Sequence, residues 1–356
     1  MSVPVISEKG QPLFPTSERR ARSLLQKGSA KKYWQKGIFC IRLVRTETEK
    51  REEYPDVAVA SDPGSKREGY TVLTPKSVVL NITTNTPSWV KDHVETRRNL
   101  RRNRRQRKAP YRACRENRST LRNENRVPPS TKARWDCKLR ILKLLFRILP
   151  ITLANIEDIK AETKKGKKQW NASFSPLEVG KQYFAEQFKQ LFPHVKLVKT
   201  AGHETAKYRS TRGFEKSKNK LEYIWEAHNV DSHSLAEMVL GKAVRPHKSM
   251  YKIQFLEYHR RSLHRQNFSK GHKRGPYGST VSCGLSRGSV VVDIGDKKMY
   301  YIGGSSRDGF VSIHDMDSLK RVKQFKKITE LRVLYCTKSV AQFLHGYKTR
   351  GILAER

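Results

Sequence analysis

Four side chains of this sequence have the types and positions that could hold divalent cations. Asp62 ends the run VAVASD immediately before a Pro-Gly break, and Glu157 closes the apolar run ITLANIE. His228 and Asp231 lie three residues apart in a segment with helical spacing, so they share one face of the predicted helix. Carboxylate oxygens are the ligands that Mg²⁺ prefers, and these acids stand out in a basic chain.

The second pair of candidates lies where apolar side chains belong. The spacing predicts a long helix over about 218–240, with an apolar stripe that includes Ile224 and Leu235. His228 and Asp231 occupy the middle of that stripe. An ionised group on a buried face is costly unless it is paired or binds a metal. A functional role is therefore favoured over an ordinary core histidine and a helix-surface acid, which each residue alone would suggest.

The order of the predicted elements brings the acids together. Strands are predicted at 57–61, 70–73 and 77–82, a helix follows, and a further strand covers 151–159. In this order the first and fourth strands become neighbours in one sheet, so the acids at their ends would meet. Two Mg²⁺ ions about 4 Å apart, with Mn²⁺ as a substitute, would stabilise the attacking and leaving oxygens of phosphodiester hydrolysis.

Two details of this site stay open at the level of the sequence. His228 could ligate a metal, or it could position or activate the attacking water. Asp158 directly follows Glu157, so the register of the second strand could present either acid.

The charge of the chain predicts a polyanionic partner. The 356 residues include 74 Lys and Arg against 33 Asp and Glu, a formal net charge of +41. Nucleic acid is the commonest such partner, and its binding would depend steeply on salt. No apolar stretch reaches the length of a membrane span, the start has no apolar signal region, and five cysteines are scattered. We expect a cytoplasmic, nucleoid-associated prokaryotic protein that binds no membrane.

The remaining segments predict how the chain is organised around the site. In a small N-terminal α+β module, PLFP is predicted as a turn and Ser17 as the cap of a short helix. Gly64 and Gly69 are predicted in the bend after the first strand. Ser130 or Thr131 is predicted to cap the helix that precedes the fourth strand. Beyond it, a helix at 176–191, a strand at 195–198 and a mostly β C-terminal domain are predicted.

An arginine-dense segment, 95–126, separates the first three strands from that helix. A helix that is polar all round has no core to pack against unless an outside partner supplies the contacts. A solvated disordered tail is the alternative. The position of the arginine-dense segment between folded segments favours an ordered, nucleic-acid-bound role.

The order of these parts resembles the split RuvC nuclease domain, which has an RNase H-like fold. SDPGSK after the first strand, the arginine segment before NIED, and the N-terminal PLFP module are similar to the IscB/IsrB proteins, transposon-encoded RNA-guided nucleases. The interval between Glu157 and His228 holds no paired metal-ligand motif of an HNH nuclease, so the chain is more similar to the HNH-lacking IsrB form.

The resemblance implies an α/β fold and a monomeric ribonucleoprotein that pairs a large noncoding guide RNA with double-stranded DNA and nicks the displaced strand. It implies that Asp62, Glu157, Asp231 and, with an open role, His228 form the metal site. It implies phosphate contacts by six arginines of the bridge helix: Arg97, Arg98, Arg101, Arg102, Arg104 and Arg105. The implied divisions are 1–52 (N-terminal module), 53–92, 128–200 and 201–248 (the RuvC parts), 93–127 (bridge helix), and 249–356 (recognition of a motif beside the target).

Two other classes of function remain open. A non-catalytic RNA-binding protein or chaperone would share the charge and the arginine density, but it gains nothing from inward-facing acids. A transposon or junction nuclease that acts without a guide would share the acids.

Overall fold

The computed structural model describes residues 1–45, 54–64, 66–108, 127–159, 175–255, 266–267, 272–273, 281–307, 309–336 and 339–344. The helices are α1 Glu18–Gln26, α2 Val90–Lys108, α3 Pro129–Ile148, α4 Pro176–Leu191, α5 Gly202–Thr211, α6 Trp225–His228 and α7 Val230–Leu240. The strands are β1 Ser2–Ile6, β2 Pro12–Ser17, β3 Ala30–Gln35, β4 Ile38–Leu43, β5 Ala58–Asp62, β6 Arg67–Thr74, β7 Ser77–Asn85, β8 Leu153–Asp158, β9 Lys196–Ala201, β10 Met250–Phe255, β11 Gln266–Asn267, β12 His272–Lys273, β13 Val281–Ser282, β14 Leu285–Ser286, β15 Val290–Asp293, β16 Met299–Arg307, β17 Phe310–Asp315, β18 Arg321–Lys327, β19 Leu331–Tyr335 and β20 Ser339–Leu344.

The main sheet has seven strands in the order β20-β10-β7-β6-β5-β8-β9. Strand β6 runs antiparallel to both β5 and β7, whereas β8 is parallel to β5 and β9 is parallel to β8. The order β7-β6-β5-β8-β9, with its second strand reversed, is the arrangement of an RNase H-like fold. The predicted fold class is confirmed, as is the prediction that the first and fourth strands are neighbours.

Helices cover both faces of the main sheet. Leu139, Leu142 and Leu145 of α3 are buried against the sheet in the largest hydrophobic cluster, together with Phe184 and Phe188 of α4. On the other face, α7 packs its leucine and alanine side chains against β5, β6 and β7. The helical spacing of these leucines places them on one buried face of α3.

The start of α3 differs from the prediction. The helix begins at Pro129, after Pro128, and no side chain caps it, so neither Ser130 nor Thr131 is the cap. Proline suits the first helical position because its missing N–H would have no intrahelical partner there. The bounds of α4 are those predicted, and Ser175 caps it by accepting a hydrogen bond from the Glu178 amide.

The N-terminal module is a four-stranded sheet, β2-β1-β4-β3, that carries α1. The Ser17 hydroxyl accepts a hydrogen bond from the Arg20 amide at 3.3 Å, which confirms the predicted cap. PLFP is not a turn as predicted, because it forms most of strand β2. This strand lies at the sheet edge, where a proline without an N–H leaves no ladder bond unmade.

The predicted long helix at 218–240 is wrong. Residues 213–224 are not helical, and α6 and α7 are separated at Asn229. The Asn229 side chain explains the break: its amide donates to the backbone oxygens of Tyr70 and Ile82 at 3.1 Å each. Side-chain bonds of this kind offer the backbone an alternative to a continuous helix. Helix α5, in the charged stretch before this segment, was not predicted.

The C-terminal region contains the predicted β-hairpins. Strands β18-β17-β16-β15-β19 form a five-stranded sheet, here called the C-terminal sheet. Strand β10, which follows the predicted boundary at 249, belongs instead to the main sheet, parallel to β7. Strand β20 pairs antiparallel with β10, with Phe255 opposite Ser339. The C-terminal sheet is thus inserted between two adjacent strands of the main sheet.

Helix α2 is exposed on all sides over residues 95–103, as its composition predicted. Leu100 is 53% exposed, so even its apolar side chain lacks a core. Pro110 and the rest of the arginine segment, through 126, lie outside the described residues. None of the described helices combines the length and apolar character needed to cross a bilayer.

Candidate active site

Asp62 and Glu157 meet at one edge of the main sheet. Asp62 ends β5, and Glu157 lies near the end of β8. These strands are parallel, with Ser61 opposite Ile156, so their carboxyl ends lie at the same edge. The two carboxyl groups are hydrogen-bonded to each other. The structure therefore brings together the two strand-end acids that the sequence singled out.

This pair holds a proton that isolated carboxylates would lose. Burial, and then the charge of Asp62 and its hydrogen bond, raise the pKa of Glu157 to about 7. Burial also raises the pKa of Asp62, and the nearby Asp231 acts in the same direction, whereas Lys216 opposes it. Negative charge is thus crowded at this edge and only partly neutralised.

The neighbour Asp158 faces away from the pair. Successive strand residues point to opposite faces, and Asp158 accepts a hydrogen bond from Lys181 of α4 at 2.8 Å. The register left open by the sequence is therefore the one that turns Glu157, not Asp158, toward Asp62.

Asp231 approaches the pair from α7. It is 3% exposed and lies within electrostatic range of both Asp62 and Glu157. Arg209 of α5 contacts one oxygen, with Nη1 at 2.5 Å from Oδ1, and Lys216 contacts the other, Oδ2. Both oxygens of Asp231 are thus held by cations.

His228 is buried but is not brought into this carboxylate group. Its Nε2 lies 2.9 Å from the backbone oxygen of Glu222 and so carries the proton that it donates. Burial, followed by the charges of Arg67, Lys220 and Lys216, lowers the pKa of His228 to about 4 despite that bond. The imidazole is therefore neutral at physiological pH, and its charged neighbours are cations.

The junction of α6 and α7 is fixed to the sheet, and this positions Asp231. Asn229 has no exposed surface, and besides its two bonds to the sheet backbone it accepts a hydrogen bond from Thr83 at 2.9 Å. Gly69 is not in the bend as predicted but within β6. A Cβ on Gly69 would lie 1.7 Å from the His228 backbone oxygen, so only glycine permits this close approach.

Segment 213–224, here called the covering segment, carries basic residues that the sequence pattern does not single out. Arg67 Nη1 donates to the backbone oxygen of Lys220 at 2.6 Å, and its guanidinium stacks 4.0 Å from the centroid of the Tyr223 ring. Lys220 in turn donates to the Ala227 backbone oxygen at 2.9 Å. In a sequence with 74 Lys and Arg, nothing in composition or spacing distinguishes Lys216 or Arg209 from the rest.

Four of the six predicted arginine contacts lie on the exposed part of α2: Arg97, Arg98, Arg101 and Arg102. Arg104 and Arg105 belong to the same helix, but their side chains lie outside the described part of the chain. The exposed guanidinium groups suit phosphate contacts, which fix position without reading sequence.

Asp62, Glu157 and Asp231 are here together called the acid group. Their chemistry fits a hard divalent cation. Asp62, Glu157 and Asp231 supply only carboxylate oxygens, which Mg²⁺ and Mn²⁺ prefer, and a cation would relieve the charge crowding that raises two of their pKa values. Within the described residues no three His, Cys, Asp or Glu side chains are already arranged around a metal position. Lys216 contacts Oδ2 of Asp231 and would have to release it before a metal could use that oxygen.

Comparison with known proteins finds a matching family model and similar solved structures. A family model described as RRXRR protein matches residues 3–173, a little under half of the chain, and residues 101–105 themselves read RRNRR. The RuvC protein of T. thermophilus, solved in complex with a Holliday junction substrate, is 12% identical, with a TM-score of 0.28 over 51% of this chain and 90% of that chain. The fold assignment rests on the strand order of this chain and not on that overlap. No curated protein matches.

Proposed function

We propose that this protein is an RNA-guided, divalent-cation-dependent DNA endonuclease of the IsrB type, which nicks the displaced, non-target strand. The observation that carries the proposal is the approach of Asp62, Glu157 and Asp231 to one another at one edge of an RNase H-like sheet. A protein that only binds phosphate has no use for three converging carboxylates in a chain of charge +41.

In this proposal Asp62, Glu157 and Asp231 hold two Mg²⁺ ions. The bound cations would supply Lewis acidity at the scissile phosphate. Asp62 and Glu157 give up their shared proton on binding. The sequence left open whether His228 ligates a metal or positions or activates the attacking water. Because its Nε2 donates to the Glu222 backbone, we assign His228 to positioning the covering segment rather than to ligation.

Guide dependence is supported by the composition and the family match. The RRXRR family is found in IscB/IsrB-like nucleases, and its match spans α2, whose exposed arginines could contact guide RNA phosphates. One acid site can cut one strand at a time, so the expected product is a nick. The C-terminal sheet is proposed to contact the motif beside the target.

The test is a nicking assay on supercoiled target plasmid with the protein and its RNA. We expect open-circle product with Mg²⁺ and none with Asp62→Ala or Glu157→Gln. Asp158→Asn is the matched control, because it changes the adjacent acid on the opposite face of β8. Nicking that persists in Asp62→Ala, or that is lost equally in Asp158→Asn, would overturn the site assignment.

The same assay separates the other two candidates. The exposed α2 favours RNA binding of any kind, and a non-catalytic RNA-binding protein would bind RNA but give no nick under any condition. A nuclease that needs no guide would nick at the same rate when the RNA is omitted.

A further inference from the structure

Lys216 lies in the acid group without belonging to the predicted site. Its ammonium contacts Oδ2 of Asp231, and its charge also acts on Asp62 and Glu157. Its charge therefore acts on all three carboxyl groups. An ammonium at this point supplies part of the positive charge that a divalent cation would supply.

The covering segment holds Lys216 in this place from both sides. On one side, the Phe214 ring packs against Trp225 with centroids 5.9 Å apart. On the other, the Ser217 amide donates to the Glu226 backbone oxygen at 3.0 Å. A lysine on an unanchored surface loop would sample many rotamers, whereas here the backbone on either side of Lys216 is fixed to α6.

The second cation on Asp231 is held differently. Arg209 projects from α5, and the next turn of that helix is tied to α7, because Arg212 makes two hydrogen bonds to the buried Glu237 at 3.0 and 3.1 Å. The Arg209 contact with Oδ1 is therefore built into helix packing. Lys216, 32% exposed at its side chain, is the partner that can leave toward solvent.

We propose that Lys216 is an internal counter-ion that competes with the divalent cation for Oδ2 of Asp231 and so sets the cation concentration at which the site fills. This inference rests on the proposed function, since it assumes that the acid group binds a metal. It adds a positioning residue that neither the sequence pattern nor the family match assigns. In the metal-free protein the ammonium holds the Asp231 carboxylate in place; when a cation enters, the ammonium moves out to solvent.

Calorimetric titration of the full-length protein with Mn²⁺ alone, without RNA or DNA, tests the competition. Lys216→Met should lower the apparent Kd for Mn²⁺ by about two- to fivefold, the range expected for losing a partly exposed ion-pair competitor. Lys216→Gln should lower the Kd in the same way. The comparison needs only one of the two variants to give the far-UV circular dichroism spectrum of a folded protein. Lys218→Met is the matched control, since Lys218 lies in the same segment but is not an ion-pair partner of Asp231, and it should leave the Kd unchanged.

A double variant separates the inference from the proposed function. In an Asp231→Asn background, Lys216→Met should change Mn²⁺ binding less than it does in the unmodified chain, because the contested oxygen has lost its charge. Unchanged or weaker Mn²⁺ binding by both Lys216 variants would overturn the inference and leave the nuclease proposal intact. Absence of Mn²⁺ binding by the unmodified chain would overturn the metal site and this inference together.

Discussion

Glu157 shows how much of the site depends on a single proton. Its carboxyl group is hydrogen-bonded to that of Asp62, and this bond exists only while one of the two acids is protonated. A cation can replace that proton, because it neutralises both groups at once. Proton and metal are therefore alternative occupants of the same edge of the sheet.

The stability of the metal-free protein should record this proton. The folded pKa of Glu157, about 7, lies above the ordinary value of 4.5, so the stabilisation is complete below the unfolded pKa and is lost as pH rises through 7. As the pH rises from the unfolded to the folded pKa, the titration of Glu157 lowers the free energy of unfolding by up to about 1.4 kcal/mol per pH unit. Urea unfolding at several pH values with a chelator should show this slope, and Glu157→Gln should reduce it.

Asp158→Asn should keep the slope of the unmodified chain, since its carboxylate is paired with Lys181 and takes no part in the shared proton. Equal slopes in the unmodified chain and in Glu157→Gln would show that the proton is held elsewhere.

At the scale of elements, the contact between β6 and the α6–α7 junction decides where Asp231 lies. Asn229 bonds to the backbone of β6 and β7, and Thr71 of β6 bonds to Ser232 of α7 with their hydroxyl oxygens 2.8 Å apart. These polar bonds fix this end of the helix to the sheet. A side chain inserted between the two layers would push them apart.

Gly69→Ala inserts such a side chain, because its Cβ would lie 1.7 Å from the His228 backbone oxygen. We expect a loss of about 3 kcal/mol in the free energy of unfolding, as for overpacked cores, together with weakened Mn²⁺ binding. Gly304→Ala is the matched control: Gly304 also lies in a strand, but nothing lies within 4 Å of its added Cβ. Thermal unfolding of both variants checks this, and equal stability would contradict the role of the close approach.

The elements that the sequence predicted well are those that a local pattern specifies. Strands β5 to β8 and helices α3 and α4 follow apolar periodicity and short turns, and the meeting of Asp62 with Glu157 follows from strand order alone. The break at Asn229 and the ion pairs of Asp231 depend on partners distant in sequence. His228 lies where the predicted helix would have placed it, in the interior, but its proton goes to the backbone of the covering segment, which no spacing indicates.

At the scale of the molecule, the basic charge is concentrated where no core is available. Residues 95–103 of α2 are exposed all round, whereas α3 buries one side against the sheet. Positive charge on such a helix is free to contact phosphates, and each contact releases a counterion from the nucleic acid.

Removing three α2 charges should therefore weaken RNA binding at every sequence. For Arg97→Gln, Arg98→Gln and Arg101→Gln together, the slope of log K against log salt should fall by about two, at about 0.7 per contact with single strands. Binding to polyuridine RNA at several salt concentrations measures this. The matched control removes three exposed charges from α3 (Arg134, Lys143 and Arg147), and an equal fall there would show that α2 has no special role.

The pairing of β20 with β10 has a consequence for how the chain is made. Strand β10 leaves the ribosome before the C-terminal sheet does, yet its antiparallel partner β20 follows only after the whole C-terminal sheet has been translated. Until then β10 presents an open edge of backbone donors and acceptors, on which another nascent chain could pair. Completion of the main sheet thus waits for β20, so a translation product truncated before β20 would carry Asp62, Glu157 and Asp231 and still remain prone to self-association.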